Sequence, residues 1–216
     1  MTPLVLVAAC GRAREVLEAV RAAEPDREVA VVDDDPARHG SRVLGAPVVG
    51  GLDDLRAFGH VEVVVCAGHG RVRRRLVERL LAIGVRSRQF VPIVHPGVHV
   101  PPSCRIGAGS VLLAGVVLTA DVVVGDHVVV MPQVTLTHDD VLEDFATICA
   151  GVSLGGSVVV GSAAYVGMNA SVREGLRVGP DATLGMGAVL LQDLPAGETH
   201  VGVPARPVRA RRLQGV

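Results

Sequence analysis

The sequence predicts an α/β N-terminal layer followed by an all-β parallel β-helix, and three observations predict it. Over residues 1–93, short apolar runs alternate with charged amphipathic stretches. From Val94 the apolar period changes to six and stays there for about 100 residues. Within that period a small or apolar residue precedes each aliphatic by two positions, and Gly often follows it by one. The first pattern is that of strands and helices packed on a small parallel sheet. The second and third are those of a hexapeptide coil.

The N-terminal elements follow in order. Leu4 to Ala9 reads as a buried strand and Arg12 to Ala23 as an amphipathic helix. Val29 to Val32 is a strand closed by Asp33-Asp34-Asp35-Pro36, and Leu52 to Phe58 is a short helix. Val61 to Cys66 is a strand, and Arg71 to Ile83 is an Arg-rich helix stopped by Gly84. Gln89 to Val94 is expected as a last strand. Arg71, Arg73, Arg74, Arg75 and Arg79 are expected to line a solvated helix face, and Arg206, Arg209, Arg211 and Arg212 a solvated tail.

In the second half, every sixth residue from Val94 to Leu190 is Val, Ile or Leu, through Val100, Ile106, Leu112, Leu136, Leu142, Leu154 and Leu184, without a slip. Side chains on a strand alternate in and out. The small residue and the aliphatic point inward, and the residue between them points out. Six residues make a short strand plus a corner, and three such units close a triangular coil of 18. Residues 94–195 thus form the β-helix, 1–93 the α/β domain and 196–216 a tail. The glycines after the aliphatic, such as Gly155 and Gly161, are expected to relieve the bend through positive φ.

Composition narrows the function classes. The chain has 216 residues, 49% of them hydrophobic, which is enough for a packed core. Its only aromatics are Phe58, Phe90, Phe145 and Tyr165, so a base-stacking groove is excluded. A net charge of -1 argues against nucleic acid as a partner. All 21 basic residues are Arg, which removes Lys Schiff-base chemistry and a P-loop lysine. The four cysteines are widely spaced, against a zinc ribbon or a redox dithiol. The apolar stretch before Cys10 is too short for a signal h-region, and no run reaches the length of a membrane span. A soluble cytoplasmic protein with no membrane partner is expected.

The chain resembles the NeuD/PglD type of hexapeptide-repeat sugar O- and N-acyltransferases. The segments that carry the resemblance are Gly11-Arg12-Ala13-Arg14-Glu15-Val16, Val32-Asp33-Asp34, Val94-His95-Pro96, Thr137-His138-Asp139 and Gly202-Val203-Pro204-Ala205. It implies a Rossmann-like N-terminal domain that binds a sugar nucleotide, a left-handed β-helix, a homotrimer, and acetyl-CoA as co-substrate in a groove between copies, with no metal. An apolar outward column, Val123, Val141 and Val159, supports a partner on that face.

By the resemblance His138 is the general base that takes a proton from the acceptor, and Asp139 is its acidic partner. Its position two residues after inward Leu136 places His138 on a corner, facing out. Neutral imidazole suits the role at pH 7. Gly156 lies 18 residues on, so it stacks one coil away and offers backbone N–H to the thioester oxygen. Thr147, Met168 and Met186 match the family's pantetheine contacts by position. Asp140 occupies an inward slot where the family has a small residue. Either the coil is distorted there, or Asp140 assists His138.

The acceptor site is expected on the N-terminal loops. Ala8-Ala9-Cys10-Gly11-Arg12 stands where the family has G-x-x-G-H, with Ala8 for the first Gly and Arg12 for the His. Gly11 at a helix start presents N–H groups to phosphate, and Arg12 can pair with it. Asp33 and Asp34 can hold a ribose hydroxyl or a base edge, and Gly68-His69-Gly70-Arg71 closes the pocket. By the resemblance, the intact N-terminal sheet domain favours acetylation of the amine of a nucleotide-linked amino sugar. Sugar O-acetylation, as on a sialic acid, and a silent trimeric sugar-nucleotide scaffold stay as alternatives. A γ-type carbonic anhydrase is disfavoured, because no His pair has the spacing of its zinc ligands.

Overall fold

The computed structural model describes residues 1–208. Three parallel strands, β1 (Leu4–Val7), β2 (Val29–Val32) and β3 (Glu62–Val65), lie in the order β2-β1-β3. Helix α1 (Gly11–Ala23) turns Ala13, Val16, Leu17 and Val20 onto one sheet face, with Leu4, Leu6 and Val31. Helix α2 (Gly70–Ala82) turns Val77 and Leu80 onto the other, with Val5, Val7 and Val63. The short helix expected at Leu52 is a 3-10 turn, Leu52–Ala57. The strand expected over Gln89 to Val94 is different in kind. Ser87–Gln89 is a 3-10 turn, Phe90 makes a single parallel bridge to Val63 of the sheet, and Ile93–Val94 is a two-residue strand. That pair hydrogen-bonds with Val111–Leu112, so it begins the β-helix instead of widening the N-terminal sheet.

The β-helix stacks two-residue strands on three faces, of five, eight and five strands, all parallel except the closing strand Arg206–Pro207. Every sixth-residue aliphatic is buried except Val94, Val100 and Ile106, which sit half-buried at the open first coil. Arg206 of the basic tail is exposed, while Arg209, Arg211 and Arg212 lie outside the described residues.

The glycines after the aliphatic do not serve the bend. Positive φ falls two residues later in each corner, for example at Asp139 (φ 63), Phe145 (φ 64) and Ser157 (φ 61). Gly155 and Gly161 are instead places of close approach, since a Cβ at either would be 2.5 Å from the backbone N of Glu174 or Pro180 on the next coil. Coil stacking, not torsion, selects Gly there.

The α/β layer packs on the eight-stranded face. Outward Val111 and Val129 of that face are buried against it, at 0% and 1% exposure. Their counterparts on the two five-stranded faces, Val117 and Val123, are 49% and 38% exposed. Among the described residues no helix is long and apolar enough to cross a membrane.

Candidate active site

His138 sits on the corner between the Thr135–Leu136 and Val141–Leu142 strands, the edge shared by the two five-stranded faces. Its Nδ1 lies 2.8 Å from Asp139 Oδ2. A carboxylate only accepts, so Nδ1 carries the hydrogen and Nε2 keeps its lone pair. The imidazole is two-thirds exposed, open to a reactant. Gly156 lies one coil above, and a Cβ there would run into His138 Cε1 and Nε2. The vertical stack expected from the 18-residue spacing is therefore present, and the missing side chain is what leaves room for the ring. Among the described residues the Gly156 N–H has no hydrogen-bond acceptor.

Asp140 is wholly buried. Its Oδ2 accepts from Thr137 N (2.8 Å) and its Oδ1 from Val158 N (2.9 Å). Burial pushes its carboxyl up to about 6, against the pull of those two amides and of His138. The distortion expected from the sequence is present, with the carboxylate satisfied locally and the ladder beside it irregular. The Thr135–Leu136 strand pairs with the strand above through Thr135 and Ser153 alone, whereas it pairs with the strand below through two residues.

The residues expected along the pantetheine arm do not form one column. Met168 and Met186 are exposed at 45% and 71% on the edge between the eight-stranded face and a five-stranded face. That edge is not the one that carries His138. Thr147 is on neither edge. It lies in a strand of the eight-stranded face, 1% exposed, with its Oγ1 bonded to Gly68 O at 3.2 Å and to Arg73 Nη2 at 3.0 Å. The residue one coil below Met168 is Ala150, whose carbonyl accepts from Asn169 N. Counting 18 back from Met168 finds it in the sequence.

The N-terminal loops do come together, at the carboxyl ends of β1, β2 and β3. Ala8 holds φ 81, the conformation for which Gly is the usual residue. Ala9 N donates to Asp33 Oδ2 (2.6 Å), and Cys10 Sγ donates to the Cys66 carbonyl (3.2 Å). Gly11 opens α1. Arg12 is only 11% exposed, with Nη2 3.4 Å from Met131 Sδ and Nη1 3.1 Å from Glu15. Its Nε is buried without a hydrogen-bond acceptor among the described residues, and its Nη1 has only the Glu15 ion pair. Asp34 is committed elsewhere, to Leu52 N at 3.1 Å and to an ion pair with Arg79, which also holds Asp53. Of the two carboxylates only Asp33 faces the β1 loop. At the other side of the loop cluster His69 tilts over Tyr165, with ring centres 5.6 Å apart.

The arginine run on α2 is a solvated face only in part: Arg71 and Arg75 are exposed and Arg79 is half-exposed, while Arg73 and Arg74 turn onto the β-helix. Arg71 pairs with Asp181 at 2.8 Å, and Arg74 donates to Ser162 Oγ at 2.8 Å. Arg73 is 1% exposed. Its guanidinium bonds the carbonyls of Ala67 and Gly68 in the β3 loop, and those of His127, Phe145 and Ala146 in the β-helix. No carboxylate pairs with it among the described residues, and burial lowers its pKa to about 9. Sequence reading missed this junction. The helix runs along the β-helix wall, so Arg73 meets carbonyls instead of water.

The family described as PglD N-terminal domain matches residues 3–80, and that described as bacterial transferase hexapeptide (six repeats) matches residues 103–138. A histidine-to-asparagine mutant of perosamine N-acetyltransferase from Caulobacter crescentus, solved with CoA and GDP-perosamine, is 33% identical. The match covers 97% of this chain and 98% of that one, with a TM-score of 0.89. The acetyltransferase domain of PglB from Neisseria gonorrhoeae, in complex with acetyl coenzyme A, is 33% identical over 95% of this chain and 98% of that one, with a TM-score of 0.86. The UDP-N-acetylbacillosamine N-acetyltransferase of Bacillus subtilis is 28% identical over 116 residues, 53% of this chain and about half (52%) of that protein. The left hand of the β-helix follows from these likenesses.

Proposed function

The chain belongs to the PglD-like hexapeptide-repeat sugar acetyltransferases, and from that premise we propose that it transfers the acetyl group of acetyl-CoA to the amine of a nucleotide-linked amino sugar. The observation that carries the reading is the His138 corner, with Nδ1 held by Asp139 and the ring beneath a glycine. His138 Nε2 takes the proton as the neutral amine adds to the thioester carbon and the C–N bond forms. The N–H of Gly156 faces the oxygen that becomes negative. When the C–S bond breaks, the thiolate leaves and the imidazolium returns the proton to it. No acyl-enzyme is required.

The acceptor's nucleotide fits the N-terminal loops. The Gly11 helix start and the unsatisfied Nε of Arg12 suit a pyrophosphate, and Asp33 suits a sugar hydroxyl. These loops lie on the eight-stranded face, and His138 lies on the opposite edge of the prism. A second copy therefore completes the site, and a homotrimer is the assembly we propose. The outward column of exposed Val123 and half-buried Val141 and Val159 supplies an apolar surface for it. O-acetylation has no named counterpart among the relatives above, which are N-acetyltransferases or an acetyltransferase domain.

The test is CoA thiol release from acetyl-CoA with a panel of GDP-, UDP- and dTDP-linked amino sugars. His138→Ala is expected to lower turnover by about 10² to 10⁴, the usual contribution of a general base, with acetyl-CoA binding little changed. Near-wild-type turnover in that variant would overturn the assignment.

A further inference from the structure

We propose that Asp140 is a positioning residue for the transfer reaction, with a carboxylate that re-routes one bond of the coil ladder and so fixes the His138 corner beneath Gly156. This rests on the function proposed above. The inward slot it fills is otherwise apolar on every coil: Cys104, Val122, Val158, Leu176 and Leu194. Elsewhere on this edge the amide after the inward aliphatic donates to the carbonyl 17 residues on, as Thr119 N does to Leu136 O (3.1 Å) and Gly155 N to Val172 O (2.9 Å). At Thr137 that amide turns inward to Asp140, and the waiting Leu154 carbonyl takes the Thr137 hydroxyl instead, at 3.0 Å. The ladder loses one register pair at the corner that bears His138. Meanwhile Asp140 Oδ1 holds Val158 N, and the His138 carbonyl accepts from Ser157 N (2.8 Å). Residues 137–140 are thereby tied to residues 155–158, the corner of Gly156.

A comparison shows that satisfaction of the slot alone does not need a carboxylate. Ser110, the inward polar residue of another edge, accepts from Val128 N and donates to Gly125 O, and the ladder around it stays regular. A hydroxyl is both donor and acceptor, so it leaves the coil unchanged. An ionised carboxylate only accepts, and it draws in two amides. The coils above and below present Val158 and Val122 to it, and the titratable groups that act on it are His138 and Asp139 of its own corner.

The clamp is pH-dependent. Above about 6 both oxygens accept, and below it one carries a proton and releases an amide. The carboxyl is raised above its unfolded value, so its contribution to stability is fully present below about 3.9 and is lost as pH rises through about 6. At neutral pH the ionised form destabilises the fold while it holds the corner.

The experiment compares wild type with Asp140→Asn and Asp140→Val, the second being the residue that fills this slot one coil above and below. In each variant kcat is expected to fall about tenfold or more, the scale of a displaced base, with both KM values within about twofold of wild type. Between pH 7 and 5 the wild-type kcat is expected to fall further than that of either variant, because only wild type has Asp140 to protonate. Exchange of the Thr137 and Val158 amides is expected to accelerate in Asp140→Val, a readout that does not depend on turnover. If Asp140→Val does not fold, Asp140→Asn carries the same comparison. Wild-type kcat and a wild-type acid fall in the variants would overturn the inference. A wild type that releases no CoA with any amino-sugar nucleotide would overturn the proposed reaction instead.

Discussion

The two layers of this molecule hold their functional loops by opposite means. The β-helix carries His138 on a corner whose backbone pattern recurs every 18 residues, with a buried aliphatic on either side and a coil above and below. One ladder pair is missing beside Asp140, yet the strands around it keep both partners. The α/β layer hangs its β1 and β3 loops on contacts that occur once. Arg73 ties the β3 loop to three consecutive β-helix residues, Phe145, Ala146 and Thr147, and an apolar patch of Val111, Leu113 and Val129 lies under α1. Repetition makes the coil tolerant of a local fault, which lets a reactive corner depart from regularity. The unrepeated junction has no such reserve.

Arg73→Met is the sharpest way to break this contrast. Met roughly matches the stem but leaves the carbonyls of Ala67, His127 and Phe145 without a donor in a buried place. Loss of about 3 kcal/mol or more is expected, because each orphaned buried acceptor costs about 1–3 kcal/mol before relaxation. Urea unfolding measures it. Where the variant folds, the KM for the amino-sugar nucleotide is expected to rise while that for acetyl-CoA holds, since Gly68 lies on the nucleotide side. A loss below about 1 kcal/mol would mean that the apolar patch alone holds the layers together.

Gly156→Ala tests the tolerant side. The Gly156 backbone is not in the positive-φ region, so the fold accepts Ala, and the new Cβ meets only the end of an exposed imidazole. The ring must swing away. Turnover is expected to fall about ten- to hundredfold, as for a displaced catalytic group, with the melting temperature nearly unchanged. A large fall in melting temperature with intact turnover would reverse the contrast drawn here.

What was legible in the sequence follows the same division. A period of six is a local rule, so Leu136, Leu142 and Gly156 could be placed by counting, and His138 with them. Asp140 stood out because it breaks an apolar column, although its two amide partners could not be read. The glycines were found but misexplained, because crowding between coils is a contact across 18 residues and not a property of the corner. Thr147 was matched by resemblance, and it lies in a strand of the eight-stranded face, whereas Ala150 is the residue 18 before Met168. The junction left no pattern at all. Arg71, Arg73 and Arg74 look like any charged helix face until the wall they pack against is known.

Arg79 is the smallest test, and it bears on that last point. It lies on the same helix as Arg73, six residues on, and it too is held by specific partners, Asp34 and Asp53. Those two carboxylates hold its guanidinium above the ordinary arginine value. Its side chain is 41% exposed, and water and salt screen the pairs. Arg79→Ala is expected to cost below about 1 kcal/mol in urea unfolding, and that cost should shrink further in 1 M salt. The Arg73→Met loss should persist in salt, because its partners are buried carbonyls. If both losses respond alike to salt, burial is not what separates the two arginines, and the weight given to the junction should pass to charge.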